Sequence, residues 1–181
     1  MIDLAKELRA KLAKGAAVAG PFAKTCDPAF VEVVGRSGFD FIILDGEHGP
    51  QNPYSLQNLI RGAEVSGVCP IVRVDTVGEI ISRVLDVGAA GVQIPQITTR
   101  AEAEAAIAYA KFYPQGERGV CRYVRAANYS SMDKFSYFQE ANENLVILQL
   151  EGQKALQNME EILSVPGIDI IFIGPYDLSQ S

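Results

Sequence analysis

The chain has 181 residues, enough for one substantial core and too few to make two domains the expectation, so 1–181 reads as a single domain. Its 22 acidic and 16 basic residues give a formal net charge of −6, which argues against a nucleic-acid partner, because phosphate binding needs a basic face. The 48% hydrophobic content is that of a globular protein; no stretch approaches a transmembrane span, and Lys6, Arg9, Lys11 and Lys14 interrupt any signal-peptide-like run, so a cytoplasmic protein with no membrane partner is expected.

Strand and helix signals alternate along the chain. A short strand is expected over 18–23. Asp27 and Pro28 then open a helix as N-cap and first helical residue, and Gly35 and Gly38 end it. A second strand covers 39–45. Asn52 and Pro53 open the next helix, in which Leu56, Leu59, Ile60 and Ala63 follow helical spacing until Gly67. The third strand covers 70–75. Thr76 and Glu79 have the spacing of a capping box for a helix carrying Ile80, Ile81, Val84 and Leu85, ended by Gly88. The fourth strand covers 91–97, and Thr99 with Glu102 repeats the capping box before an Ala-rich helix to about Phe112. Residues 113–144 read as a long irregular connection. The fifth strand covers 145–151. One helix follows, with Ala155, Leu156, Met159, Ile162 and Leu163 on one face, and the sixth strand covers 168–173. Cys26, Cys69 and Cys121 are widely spaced, with no CxxC pair, and read as reduced thiols.

Six βα-type units with near-continuous Val/Ile/Leu strands predict an α/β fold with a parallel sheet covered by helices. No GxGxxG or GxxxxGK[ST] is present, so nucleotide-binding folds lose their main support. A TIM (β/α)₈ barrel fits better. That fold takes about 250 residues, so the chain is expected to cover the first six βα units and to lack the C-terminal part.

Chemistry-bearing residues collect at the strand ends, where such folds build their sites. Glu151 closes the fifth strand, and Asp177 follows the sixth. Two carboxylates brought together repel unless a cation lies between them, and oxygen ligands suit Mg²⁺ or Mn²⁺, with Co²⁺ as a further candidate. His48, the only histidine, follows the second strand in Asp45-Gly46-Glu47-His48; Asp45 and Glu47 could orient its imidazole or bind ordered water. Arg73 lies inside an apolar strand, where a charge is expensive unless paired. It reads either as a structural ion pair with Asp45 or Asp75 or as a guanidinium for a carboxylate or enolate oxygen. Gln149 shares a strand face with Glu151. Gly174 and Pro175, before Tyr176 and Asp177, leave tight backbone that could approach a ligand closely. Asp86, in the last turn of its helix, opposes the macrodipole and should lie at the opposite end of the sheet, so any functional role is expected across a subunit interface. The arginine-rich segment after Gly116-Glu117-Arg118-Gly119 reads as a solvated loop, an interface or a lid over the site. No predicted strand ends in a lysine placed for Schiff-base chemistry; Lys24 comes closest.

Leu44-Asp45-Gly46-Glu47-His48, Ile71-Val72-Arg73, Leu85-Asp86-Val87-Gly88-Ala89, Gly116-Glu117-Arg118-Gly119, Gln149-Leu150-Glu151 and Phe172-Ile173-Gly174-Pro175-Tyr176-Asp177-Leu178-Ser179 occur in this order. Together they resemble the HpcH/HpaI aldolase family of class II pyruvate aldolases, from about Phe30 onward. The resemblance implies a (β/α)₈ barrel assembled as a homo-oligomer, a hexamer. It implies a divalent metal on Glu151 and Asp177 that binds pyruvate, and Arg73 and Gln149 at the keto or enolate oxygen. His48 would act in acid/base steps with Asp86 as its supporting partner, and backbone around Gly174, Pro175 and Tyr176 would hold the pyruvate carboxylate. The catalytic candidates are therefore His48, Arg73, Asp86 and Asp45. The expected reaction is cleavage of a 4-hydroxy-2-oxo acid to pyruvate and an aldehyde. Two alternatives stand beside it: a related metal-enolate lyase or decarboxylase acting on another 2-oxo acid or an acyl-CoA, and a non-catalytic barrel serving in assembly. Tyr176 is bulkier than the residue common at its position in the family.

Overall fold

Each strand is short and mostly apolar, and several helices open on a residue whose side chain caps them. The computed structural model describes residues 2–181, with α1 (Ile2–Ala13), β1 (Phe22–Ala23), α2 (Pro28–Arg36), β2 (Phe41–Asp45), α3 (Pro53–Ser66), β3 (Cys69–Arg73), α4 (Glu79–Asp86), β4 (Gly91–Ile94) and α5 (Arg100–Ala110) in its first part. A 3-10 helix (Arg125–Ser130), α6 (Lys134–Ala141), β5 (Leu145–Leu150), α7 (Gln153–Gln157), α8 (Met159–Leu163), β6 (Ile170–Ile173) and α9 (Pro175–Gln180) complete it. Asp27 accepts from the Ala29 amide, Asn52 and Ser55 form a capping box, and so do Thr99 and Glu102. The Thr76–Glu79 box does not form. Gly78 is the N-cap, so Glu79 is the first helical residue rather than the third, and its carboxylate cannot reach back to the cap.

The six strands pair in chain order, all parallel. Period-2 alternation sorts their side chains. Ile42, Leu44, Val72, Val92, Ile94, Val146, Leu148 and Leu150 pack outward against α2–α5, α7 and α8 in the main core. Ile43, Cys69, Ile71, Leu145 and Ile147 face inward and meet Ala5 and Leu8 of α1. The sheet is strongly curled. A flat sheet would hold β1 and β6 about 24 Å apart, yet the rings of Phe22 and Phe172, on those two strands, lie 5.8 Å apart across the interior. The result is an α/β half-barrel, and the predicted parallel barrel architecture is met to that extent.

One element was not anticipated from the sequence, and three readings are corrected. The N-terminal stretch forms helix α1, which closes the strands' N-terminal end and is tied there by Arg9 to Glu143 and Asp169. The connection 113–144 contains the 3-10 helix and α6, whose Asp133 cap and buried Tyr137 against Phe112 hold it in place. The helix expected after β5 is split at Asn158 into α7 and α8. The first, second, fourth and sixth strands are each shorter than expected by two residues or more, because their outer residues fall beyond the parallel ladder.

Candidate active site

Most of the ionisable residues named from the sequence lie where the strands end. Asp45 is the last residue of β2 and is fully buried. Arg73, the last residue of β3, donates to it in bidentate fashion, from Nε to Oδ1 at 2.9 Å and from Nη2 to Oδ2 at 2.8 Å. The ion-pair reading of Arg73 therefore holds for Asp45 and not for Asp75. The pair does not use up the guanidinium. Its Nη1 lies 2.9 Å from Glu47 Oε2, its plane stacks 4.9 Å from the Phe22 ring centroid, and one N–H on each Nη remains for a ligand. Gly46 makes this junction possible, since a Cβ there would lie 2.8 Å from the Arg73 carbonyl oxygen that accepts its N–H.

The charges set one another's titration. Burial pushes the Asp45 carboxyl up, but the Arg73 hydrogen bonds, the His48 and Glu47 amides and the Arg73 charge together hold it below the ordinary carboxylate range. Burial wins at Glu47, whose carboxyl is raised despite Arg73 and His48, with Glu151 adding like-charge repulsion. Burial would lower Arg73, but Asp45, Glu47 and Glu151 raise it. Glu151 thus faces the Arg73 cluster across the mouth of the half-barrel.

Glu151, just after β5, is 8% exposed. Its Oε1 accepts from the Gln96 amide at 2.8 Å, and its Oε2 accepts from the Gln149 side-chain amide. Gln96 has φ of 56°, a conformation rare outside glycine, at the point where its N–H meets the carboxylate. Gln149 accepts in turn from the side-chain amide of Gln93, which sequence reasoning missed. Gly174, after β6, lies directly on this carboxylate: a Cβ there would be 2.7 Å from Glu151 Cβ and 2.8 Å from Oε2. Pro175, Tyr176 and Asp177 follow in the exposed first turn of α9. His48 stands on the rim with its side chain 60% exposed and Nε2 3.8 Å from Glu47 Oε1. Lys24, next to β1, lies 3.7 Å from Asp45 Oδ2 and is mostly solvated.

Asp86 is not brought to this cluster. Helix α4 runs back to the strands' N-terminal end, and there Asp86 accepts from Arg118 Nη2 at 2.6 Å. The arginine-rich segment belongs to the same far end. Arg118 stacks on Phe112, and Arg125 donates to Glu64 and to the Val87 carbonyl at the ends of α3 and α4, so the segment is no lid over the strands' C-terminal ends. A groove of about 540 Å³ along α5 holds none of the predicted site residues. Among the described residues no helix is long and apolar enough to cross a membrane, and all three cysteines are free.

Comparison with known proteins gives consistent results. A family model described as HpcH/HpaI aldolase/citrate lyase matches residues 19–181. A 5-keto-4-deoxy-D-glucarate aldolase of Shigella boydii serotype 18 is 36% identical over 177 residues, which cover 97% of this chain and 68% of that protein. Among solved structures, an HpcH/HpaI aldolase from Desulfitobacterium hafniense DCB-2 superposes with a TM-score of 0.88 at 31% identity, over 96% of this chain and 68% of the other. Citrate synthase SbnG superposes with a TM-score of 0.86 at 35% identity, over 96% of this chain and 67% of the other.

Proposed function

This chain belongs to the HpcH/HpaI aldolase/citrate lyase family, and we propose from that premise that it is a lyase that reversibly cleaves a 4-hydroxy-2-oxo acid to pyruvate and an aldehyde through an enolate. The observation that carries the reading is the buried Arg73. Held by Asp45 and Glu47, it keeps one N–H on each Nη beside the charge of Glu151.

The donors near that mouth fit a hard divalent cation. Glu151 and Asp177 offer carboxylates, and both Glu151 oxygens keep lone pairs beyond the single hydrogen bond each accepts. The Gly174 backbone leaves open the space beside Glu151 that any side chain would fill. Mg²⁺ or Mn²⁺ held there would polarise the 2-oxo group and offset the charge that develops on its oxygen.

The chain's own residues supply the rest. Breaking the C3–C4 bond moves its electron pair toward the C2 oxygen as the C4 hydroxyl loses its proton and becomes the aldehyde. The two free Arg73 N–H groups and the second N–H of Gln149 donate to that oxygen as its charge grows. Fixed in advance by Asp45 and Glu47, the guanidinium need not reorganise during the step. His48, next to Glu47 on the rim, takes the hydroxyl proton. Protonation of the enolate carbon then completes the methyl group of pyruvate. Backbone around Gly174, Pro175 and Tyr176, at the start of α9, receives the carboxylate of the oxo acid. Lys24, solvated and paired with Asp45, lacks the burial that a Schiff-base lysine requires. Asp86 serves a neighbouring subunit's His48 in a homo-oligomer, since it lies at the far end of its own chain.

Pyruvate release from a panel of 4-hydroxy-2-oxo acids, read with a pyruvate-specific reductase, tests this reading. Release that needs a divalent cation and is lost in Arg73→Met is expected; no release from any member, with the protein folded, would refute it. The similarity to citrate synthase SbnG supports a second reading, in which the same enolate adds to a carbonyl acceptor and the enzyme works in the joining direction. A carbon–carbon bond formed from a 2-oxo acid acceptor, without cleavage of the panel, would favour it.

A further inference from the structure

Gln93 is fully buried on the inner face of β4, where the neighbouring inward side chains are mostly apolar. Its Nε2 donates to Gln149 Oε1, and Gln149 Nε2 donates to Glu151 Oε2. The direction of this chain is not arbitrary. A carboxylate only accepts, so Gln149 must turn its NH₂ toward Glu151. Its carbonyl oxygen then faces Gln93, and Gln93 must present its own NH₂. As a consequence Gln93 Oε1 points away from the network and has no hydrogen-bond partner among the described residues. Gln93 lines a cavity of about 180 Å³ whose other walls include Phe22, Ile43, Ile71, Ile147 and Phe172.

An amide buried in an apolar layer with its carbonyl unpaired is a liability for the fold. An aliphatic side chain of the same size would remove that orphan, though it would also take the donor from the buried Gln149 Oε1. What the amide provides is orientation. With Gln93 donating, Gln149 cannot exchange its oxygen and nitrogen, so one N–H stays on Glu151 and the other stays pointed into the mouth. The Gln96 amide clamps the opposite carboxylate oxygen. Two residues from the end of β4 therefore hold the carboxylate that β5 delivers.

We infer that Gln93 is a positioning residue of the site, acting through Gln149 to fix the orientation of Glu151 for cation and oxo-acid binding, an inference that rests on the reading of the site given above. Its action is indirect, because among the described residues its side chain hydrogen-bonds only to Gln149. It should behave like an outer partner of a metal ligand, whose loss lowers metal affinity by about 10- to 100-fold.

The test compares the wild-type protein with Gln93→Met, Gln149→Leu and the double variant. Three quantities are read: Mn²⁺ affinity by electron paramagnetic resonance, the thermal midpoint, and the Gln149 side-chain amide signals in ¹⁵N NMR, assigned by their absence in Gln149→Leu. Three results are expected of Gln93→Met: Mn²⁺ affinity falls by about tenfold or more, the thermal midpoint changes little because one unpaired amide oxygen replaces another, and the Gln149 amide signals move and merge as the group turns freely. In the Gln149→Leu background the same substitution should change affinity by less than about twofold, because the residue through which it acts is gone. Unchanged Gln149 signals with unchanged affinity would overturn the inference, and so would an equal loss of affinity in both backgrounds. A fall in thermal midpoint that accounts for the affinity loss would overturn it too, by making Gln93 merely structural. If the wild type takes up no Mn²⁺, the proposed function fails. The Gln149 signals then decide the inference alone, movement supporting it and constancy overturning it. Should Gln93→Met not fold, Gln93→Leu replaces it in each comparison.

Discussion

Replacing Arg73 by methionine should reveal how much of the structure's stability rests on the pair that also forms the site. Asp45 is fully buried and accepts four hydrogen bonds, two from Arg73 at 2.9 and 2.8 Å and two from the Glu47 and His48 amides at 3.2 Å. Removing the guanidinium takes away the two shorter, charged bonds. At about 2 kcal/mol each, the loss is about 4 kcal/mol, within the range for breaking a buried ion pair. The pH dependence gives the sharper check. In the wild type the Asp45 carboxyl is held below its ordinary value, so its contribution is present above about pH 4 and is lost only as pH falls through the lower folded value. Without Arg73 the burial that pushes this carboxyl up is no longer outweighed, and the folded variant binds a proton that the unfolded chain does not. Its stability therefore rises as pH falls from 7 toward 4.5, and the gap to wild type narrows. Urea unfolding at several pH values measures this. Adding Asp45→Leu to Arg73→Met should recover part of the loss, because the buried Asp45 charge is then gone while Glu47 still lacks its Arg73 partner. A gap under about 1 kcal/mol at pH 7, or one constant between pH 7 and 4.5, would refute the reasoning.

Three further perturbations follow from the same structure. Gly174→Ala places a Cβ 2.7 Å from Glu151 Cβ, so β6 and the carboxylate must separate; a stability loss of about 1–3 kcal/mol and markedly weaker Mn²⁺ binding are expected in titration. Thr99→Ala should cost about 1 kcal/mol in urea unfolding, while Thr76→Ala should cost under about 0.5, since only the first caps its helix. Lys111 donates to the carbonyls of Asn142 and Asn144, and burial pushes it down to about 8 from 10.5 despite the opposing pull of Asp169. The unfolded state thus holds more protons above pH 8, and wild-type stability should gain about 2–3 kcal/mol relative to Lys111→Met between pH 7 and 10. A pH-independent difference would count against that assignment.

Much of the arrangement was legible because strand alternation is a local property. Knowing that Ile71 and Arg73 share a face, and that Gln149 and Glu151 share one, suffices to predict that all four side chains point inward. Gln93 was not legible. Nothing in Gly91-Val92-Gln93-Ile94 separates it from any strand glutamine, and its partner is set by the register of β4 on β5, which places Gln93 beside Ile147 and one pleat from Gln149. The two Thr-x-x-Glu sequences show the same limit. Their spacing is identical, yet only one becomes a capping box, because α4 starts two residues late, with Gly78 as its N-cap and Glu79 as its first residue. Helix α1 carries its signal in Leu4, Leu8 and Leu12, a narrow apolar stripe separated by lysines and an arginine. Asp86 was placed correctly at the far end by topology, and only the structure could give it Arg118 as a partner.

Deuterium exchange into the methyl group of pyruvate, followed by proton NMR, tests the enolate chemistry most directly, since it needs no knowledge of the aldehyde. The measurement compares protein with Mn²⁺, protein with EDTA, and Glu151→Gln with Mn²⁺. Exchange with Mn²⁺ that vanishes with EDTA and in Glu151→Gln is the predicted result. Absence of exchange in the folded, Mn²⁺-loaded protein would contradict the claim that pyruvate is the enolate this site forms.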